Sequence, residues 1–373
     1  MPEHSVNAAK LLVVSCLMAM LACTTGAPTA PGRAPVAVSA PTGASAEAQP
    51  AAAPPSAPAP AAEPTHVTIV YATASSANSL LLLAQQQGIF QANGLDAELI
   101  YAPGNGGPAA MVSGQAQAMS SGCAEGLGVM ASGADLVYIL VNTNRMQYVL
   151  AGGPNIPTRE DITGKRLAVS RIGTSSHFAT RFIVKYLGLD PDRDATYVQV
   201  GNTPERLTAL LSGAVDGSIL SVEEGLLVGE LPGMRILVDM TQEKLPYCGN
   251  GLVLPRPTLA ERPDLVRGLV RTVVEATARY KQDKAAGTAA VSKFLDESDP
   301  VKVERIWAVR SGLFPAKPYP EASGLQFVIA EAAEADPRLA SLTPERISDP
   351  SWVRALDESG YIDSLYPGGA PAQ

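Results

Sequence analysis

The sequence predicts an α/β protein made of two lobes, and three observations predict it. From His66 onward, short apolar runs with the length of strands alternate with stretches of helical period, a pattern that calls for a mainly parallel sheet covered on both faces. The alternation comes in two blocks, with Pro154-Asn155-Ile156-Pro157 between them. After Cys248 a single strand is followed by helices alone. That is too little for a layered domain of its own, so the strand must complete a sheet begun earlier.

In the first block, strands are expected over 67–71, 97–101, 116–120 and 136–141, with helices over 78–87, 108–113 and 126–132 between them. Gly88 ends the first helix, because glycine takes the left-handed turn of a helix C-terminus without strain. The GNGGPA run from Gly104 reads as a turn into the second helix. This β-α-β-α-β-α-β order implies right-handed crossovers. The second block reads as strands over 166–170, 195–200, 217–220 and 235–238, with helices over 176–187, 204–212 and 223–229. Its middle helix opens on Asn202-Thr203-Pro204, a capping threonine with proline in the first turn. The tail gives a strand over 251–254 and helices over 265–280, 285–295, 301–309, 322–335 and 352–358. Assigning that strand to the first sheet makes lobe 1 discontinuous, 66–155 with 248–373, around lobe 2 at 156–247. The chain then crosses between lobes near 152–158 and near 245–250.

The amino-terminal stretch is of another kind. A short polar segment ending at Lys10 precedes the apolar run LLVVSCLMAMLA, which stops at Cys23. The run is too short to span a bilayer, which takes about 20 residues, and residues 1–22 read as a signal peptide. Ala22-Cys23 resembles the site where lipoproteins are cut and acylated, which makes Cys23 the lipidation site; an ordinary secretory peptide cut nearby is the alternative. Residues 23–65, rich in alanine and proline, have no apolar periodicity and read as a tether. A net charge of −8 over 373 residues argues against nucleic acid as a partner, since tracking phosphates needs clustered Lys and Arg. An exported, lipid-anchored monomer is the expectation.

In open α/β sheets ligands sit beyond the carboxyl ends of the strands. That rule selects 72–77, 120–124, 172–177 and 221–224. Gly173-Thr174-Ser175-Ser176 is a glycine turn with hydroxyls at a helix start, where free N–H groups favour an anion or a polar oxygen; simple capping is the other use. Ser75, Ser76 and Asn78 follow the first strand, and Ser120, Ser121 and Gly122 the third, so both sets face a cleft from the first lobe. Ser221 and Glu224 fit a capping box, which leaves Glu223 as the freer acid for a cationic or hydrogen-bond-donating ligand. His177 either reaches the ligand or lies on a surface helix position, and Tyr247 either stacks on a flat ligand or packs at the crossing. No HExxH, Cys/His metal spacing, G-x-S-x-G or P-loop is present in the sequence, so no catalytic residue, cofactor or metal is assigned.

The segments GKRLAVSRIGTSSHFATRFIVKYLGLDP, VQVGNTPERLTALLSGAVDGSIL and LLLAQQQGIFQANGLDAELIYAPG resemble the periplasmic solute-binding proteins for nitrate, taurine, aliphatic sulfonates and thiamine pyrimidine precursors. The resemblance runs over about 67–335. It implies the type II periplasmic binding fold, a cleft that closes on a small molecule, and an ABC permease and ATPase as partners. It also implies that the strand after Cys248 runs antiparallel beside the third, placing Cys123 and Cys248 at one cleft edge. They are then either bridged or buried as two thiols. Two other readings stay open. One is an enzyme of the thiamine-pyrimidine type, whose cysteine-rich cluster has no counterpart here, and the other is a sensory binding module.

Overall fold

Ten strands form two five-stranded sheets in the computed structural model, which describes residues 63–71, 75–102, 106–243 and 245–371. They are β1 (Thr65–Tyr71), β2 (Leu95–Tyr101), β3 (Ala118–Gly122), β4 (Leu136–Thr143), β5 (Tyr148–Gly152), β6 (Lys165–Val169), β7 (Ala195–Gln199), β8 (Gly217–Ser221), β9 (Arg235–Asp239) and β10 (Asn250–Pro255). The signal peptide, Cys23 and all of the tether before Glu63 lie outside the described residues, as do 72–74 and 103–105 of the selected loop and the GNGGPA turn. Among the described residues no helix is long and apolar enough to cross a membrane.

The two sheets share one plan. The first runs β2-β1-β3-β10-β4 and the second β7-β6-β8-β5-β9. In each, parallel strands built by βαβ crossovers receive one antiparallel strand that arrives directly from the other lobe. For the first sheet this is β10, with Asn250 opposite Gly122 on β3. For the second it is β5, with Tyr148 opposite Ser221 on β8. The sequence reading missed β5 and left its residues in the first lobe. Since β5 is already paired in the second sheet, the first crossing lies between Thr143 and Tyr148, not near 152–158. The reason is physical: an antiparallel insertion needs no helix before it, so an alternation rule passes over it. The return crossing lies between Asp239 and Asn250.

The carboxy-terminal helices cover the first sheet. In Pro263–Gln282, the residues Leu265, Val266, Leu269, Val270, Val273 and Val274 recur at helical spacing and are all buried. They join Ile69, Ile139 and Leu252 of the sheet and Val303 and Ile306 of helix Pro300–Leu313 in one core. A second apolar cluster runs from Met119 and Tyr138 into Leu150, Leu167 and Ile219 of the other sheet, so the lobes are packed together near the crossings. Phe182 meets Phe327 edge-on at 5.1 Å between ring centroids on the same seam.

Candidate functional site

Both sheets point the carboxyl ends of their parallel strands at the seam, and a cavity of about 450 Å³ lies there. Ser75 follows β1, Gly122 ends β3, Ser170, Arg171 and Thr174 to Ser176 follow β6, Gly201 to Thr203 follow β7 and Ser221 ends β8. The crossings supply Gln147, Tyr148, Tyr247, Gly249 and Asn250. The lining is therefore drawn from both lobes and both crossings.

Besides the short turn Ser76–Asn78, which has no acid of its own in its first turn, four helices open on this space, and their first turns differ. Cys123–Ala131 carries Glu125 there, Val222–Val228 carries Glu223 and Glu224, and Thr203–Leu211 is closed by a reciprocal cap between Asn202 and Glu205. Each thus brings its own acid to the positive end of the helix. Helix Ser175–Tyr186 does not: its first turn has no acid, and Thr174 at its N-cap makes no capping bond. The Thr174 hydroxyl instead donates to Arg171 O at 2.7 Å, while the Ser170 N–H donates to Ser176 Oγ at 2.9 Å. Gly173 supplies the required left-handed turn at φ 83°. Among the described residues, Ser175 Oγ is buried without a hydrogen-bond partner, and so is Gln147 Oε1 across the cavity lining. Buried polar atoms are nearly always paired, and these two exceptions stand on one cavity.

The charges around the cavity are mostly held by the protein itself. Arg206 is buried; its Nε donates to Ile219 O at 2.9 Å, Nη1 to Gly201 O at 2.7 Å and Nη2 to Thr203 Oγ1 at 3.0 Å, none of them a carboxylate. Burial lowers its pKa, yet the guanidinium remains a positive charge behind the β7 loop. Glu125 is pushed up to about 7 by burial, against the pull of Arg171. Tyr148 is pushed up to about 12, chiefly by burial. An acid weakened by burial, an uncapped helix start and three tyrosines, Tyr148 with Tyr101 and Tyr247, make a lining suited to a polar group on a small organic body.

Of the residues expected from sequence, Ser75, Gly122, Thr174, Ser175, Ser176 and Tyr247 line the cavity. Tyr247 also packs against Phe178 and Phe327 at 6.2 and 6.3 Å. Ser76, Asn78, Ser120 and Ser121 lie behind the wall. Ser120 Oγ donates to Asn78 Oδ1 at 2.8 Å and accepts from Asn250 Nδ2 at 3.1 Å, which holds the lining residue Asn250 in place. Ser121 Oγ is 3.4 Å from the Tyr138 hydroxyl. Gly173 and His177 face a neighbouring cavity of about 220 Å³ instead. There His177 Nδ1 accepts from the Gly173 N–H at 3.2 Å and its ring meets Tyr197 edge-on, with its pKa pushed down to about 4 by burial and by Arg181.

Glu223 is not the freer acid that the sequence suggests, because it is paired inside the protein. Its two carboxylate oxygens accept from Arg310 Nη2 at 2.7 and 2.8 Å, and both side chains are buried. Burial opposes its ionisation, but Arg310 and the Ser76 hydroxyl outweigh that and hold the carboxyl well below its ordinary range. Ser221 makes no capping bond; its hydroxyl reaches the Glu224 carboxylate, whose pKa burial and Glu223 push up to about 7. Cys123 and Cys248 form a disulfide with Cα atoms 5.6 Å apart, directly beside the lining residues Gly122, Tyr247 and Gly249. Sequence reasoning missed Glu125, Gln147, Tyr148, Asn202, Thr203 and Arg206. The strand-end rule reaches Asn202 and Thr203, which follow β7, but their capping pattern had already explained them. Gln147 and Tyr148 depended on seeing β5.

The NMT1/THI5-like family model matches residues 77–285. Several solved structures share the fold. A protein from Bordetella bronchiseptica RB50 is 20% identical over 80% of this chain and 98% of its own, with a TM-score of 0.66. The alkanesulfonate-binding protein SsuA from Xanthomonas axonopodis pv. citri, bound to MOPS, is 23% identical over 77% of this chain and 97% of its own, at 0.60. The periplasmic nitrate-binding protein NrtA from Synechocystis PCC 6803 is 12% identical over 82% and 92%, at 0.66. No curated protein matches the chain.

Proposed function

The chain belongs to the NMT1/THI5-like family, and from that premise we propose that it is the solute-capturing component of an ABC importer. It is exported, anchored through a lipid on Cys23 and monomeric, and it hands a small polar organic solute to a permease driven by an ATPase. One lobe spans 65–143 with 250–371 and the other 148–239, and they close on the solute about the two crossings. The observation that carries this reading is the cavity of about 450 Å³ between the strand ends of both sheets, with the unpartnered Ser175 Oγ and Gln147 Oε1 on its wall. That volume suits a small ligand. The uncapped helix start and Arg206 favour an oxygen-rich or anionic end, as the named ligands of SsuA and NrtA also do. The enzyme reading draws no support, because His177 turns to Gly173 and Tyr197 rather than into this cavity.

Mass spectrometry of small molecules released from protein purified without added solute tests the proposal. The expected result is one stoichiometric polar solute that is recovered unchanged and rebinds on its own. Turnover of that molecule, or a wild-type protein that neither carries a solute nor binds any in a panel of organic anions, would overturn it.

A further inference from the structure

One buried cluster lies outside the cavity proper yet touches it, and it joins the two lobes. Glu223 opens helix Val222–Val228 beyond β8 of the second sheet. Arg310 sits on helix Pro300–Leu313, which shares the core of the first lobe. The side chains are 1% and 5% exposed for Arg310 and Glu223. Besides its two bonds to the carboxylate, the guanidinium donates from Nε to Ser76 Oγ at 2.6 Å and from Nη2 to Ser75 Oγ at 2.9 Å. The Ser76 N–H and hydroxyl both donate to Glu223 Oε1, the former at 2.9 Å. A carboxylate of one lobe is thus enclosed by a guanidinium, a hydroxyl and a backbone N–H of the other. Ser75, held by the same guanidinium, faces the cavity.

We propose that Glu223 and Arg310 are positioning residues for the cavity: an internal latch that joins the lobes and, in the same network, orients the Ser75 hydroxyl toward the solute. Separating the lobes takes the carboxylate away from all three donors at once, and leaves Arg310 and Ser75 together in the first lobe with the guanidinium unpaired. Two buried charges are tolerated only while paired and hydrogen-bonded, so this network, in which Arg310 Nη1 lacks a partner among the described residues, forms with the lobes together. The other ion pairs across the seam, Lys185 with Glu331 and Glu334 and Arg305 with Glu230, are partly exposed to solvent, so water replaces them at lower cost. The latch therefore sets the balance between open and closed lobes. This inference rests on the solute-binding reading for its purpose, but its test needs no solute.

Spin labels at R193C and R267C, exposed positions on the second and first lobes, report the interlobe distance by pulsed electron resonance in protein stripped of small molecules by unfolding and refolding. E223Q and R310M should each shift the open-to-closed ratio by about tenfold toward open, while E230Q, which removes a surface pair, leaves it unchanged. An unchanged distance distribution in E223Q and R310M, or an equal shift in E230Q, overturns the latch. If a single variant fails to fold, the double variant E223Q/R310M, which leaves no unpaired buried charge, decides by the same distances. A purely structural pair would lower the melting temperature and leave the distances alone. Failure to find any solute would sink the transport reading without touching this measurement.

Discussion

Gly122 allows the two lobes to meet, and alanine at that position should stop them. It ends β3 with φ −63° and ψ 143°, a conformation open to any residue, so the substitution costs the first lobe no backbone strain. A Cβ there would stand 2.1 Å from Ser175 Oγ, 3.0 Å from Ser175 Cβ and 3.4 Å from Gly249 O. Rotating the serine hydroxyl relieves the first contact but not the second. Carbon atoms pack at about 3.5–4.0 Å, so helix Ser175–Tyr186 must retreat by roughly half an ångström at this point. Overpacking of this size costs about 1–3 kcal/mol. The cost falls only on the state with the lobes together, so it should appear as an affinity loss of about 5- to 160-fold for the solute recovered from the protein. Calorimetric titration measures that loss, and the melting temperature without solute should stay within a degree or two of wild type, about the scatter of a neutral surface change. On an S175G background the same alanine should cost nothing further, because the atom it strikes is gone. Wild-type affinity in G122A, or an equal loss with and without S175G, would refute the reasoning.

Ser175→Ala separates ligand contact from capping: since Ser175 Oγ has no partner among the described residues, stability should hold while affinity falls by about two- to twelve-fold, the worth of one hydrogen bond. Unfolded, unreduced protein should show no free thiol from Cys123 or Cys248, and the C123S/C248S variant should lose about 2–4 kcal/mol in denaturant titration; two titrating thiols would deny the bridge. Glu125, raised from 4.5 to about 7, stabilises the fold fully below its unfolded value and loses that contribution as pH rises through 7. Comparing E125Q with wild type from pH 5 to 8 should therefore remove a decline of at most about 3 kcal/mol. His177, lowered from 6.5 to about 4, has the opposite sign: its contribution is complete above its unfolded value and is lost as pH falls toward 4.

The architecture was legible wherever periodicity carried it. Parallel strands with helices between them announce themselves by alternation, and β10 was found because a lone strand before helices had to join something. β5 was lost because its residues YVLAG sit between two crossings with no helix before them, and nothing local distinguishes an inserted antiparallel strand from a connection. The strand-end rule located most of the cleft, yet it could not tell residues facing the cavity from those one position behind: Ser75 lines it while Ser76 turns into the latch. The largest error concerned Glu223. A first-turn acid on the cleft side reads as free until its partner is known, and Arg310 lies 87 residues away in a helix whose sequence speaks only of packing.

The helix at Ser175 carried a legible signal of another sort. Helix starts at Cys123, Thr203 and Val222 each bring a glutamate within their first turn, whereas Ser175-Ser176-His177 brings none. An absent acid is informative only by contrast, because one bare helix start can be left to water, but a bare start buried among satisfied ones cannot. Burial is what the sequence withholds. Here it comes from Gly122, whose missing side chain lets the other lobe cover Ser175 closely enough to exclude solvent from its hydroxyl. A residue with any side chain at position 122 would leave that helix start wet, and a wet start has little reason to prefer a solute over water. On the proposed reading of Ser175 as a solute contact, selection of solute over water rests jointly on two features in different lobes: the acid missing from one helix and the side chain missing from the strand opposite.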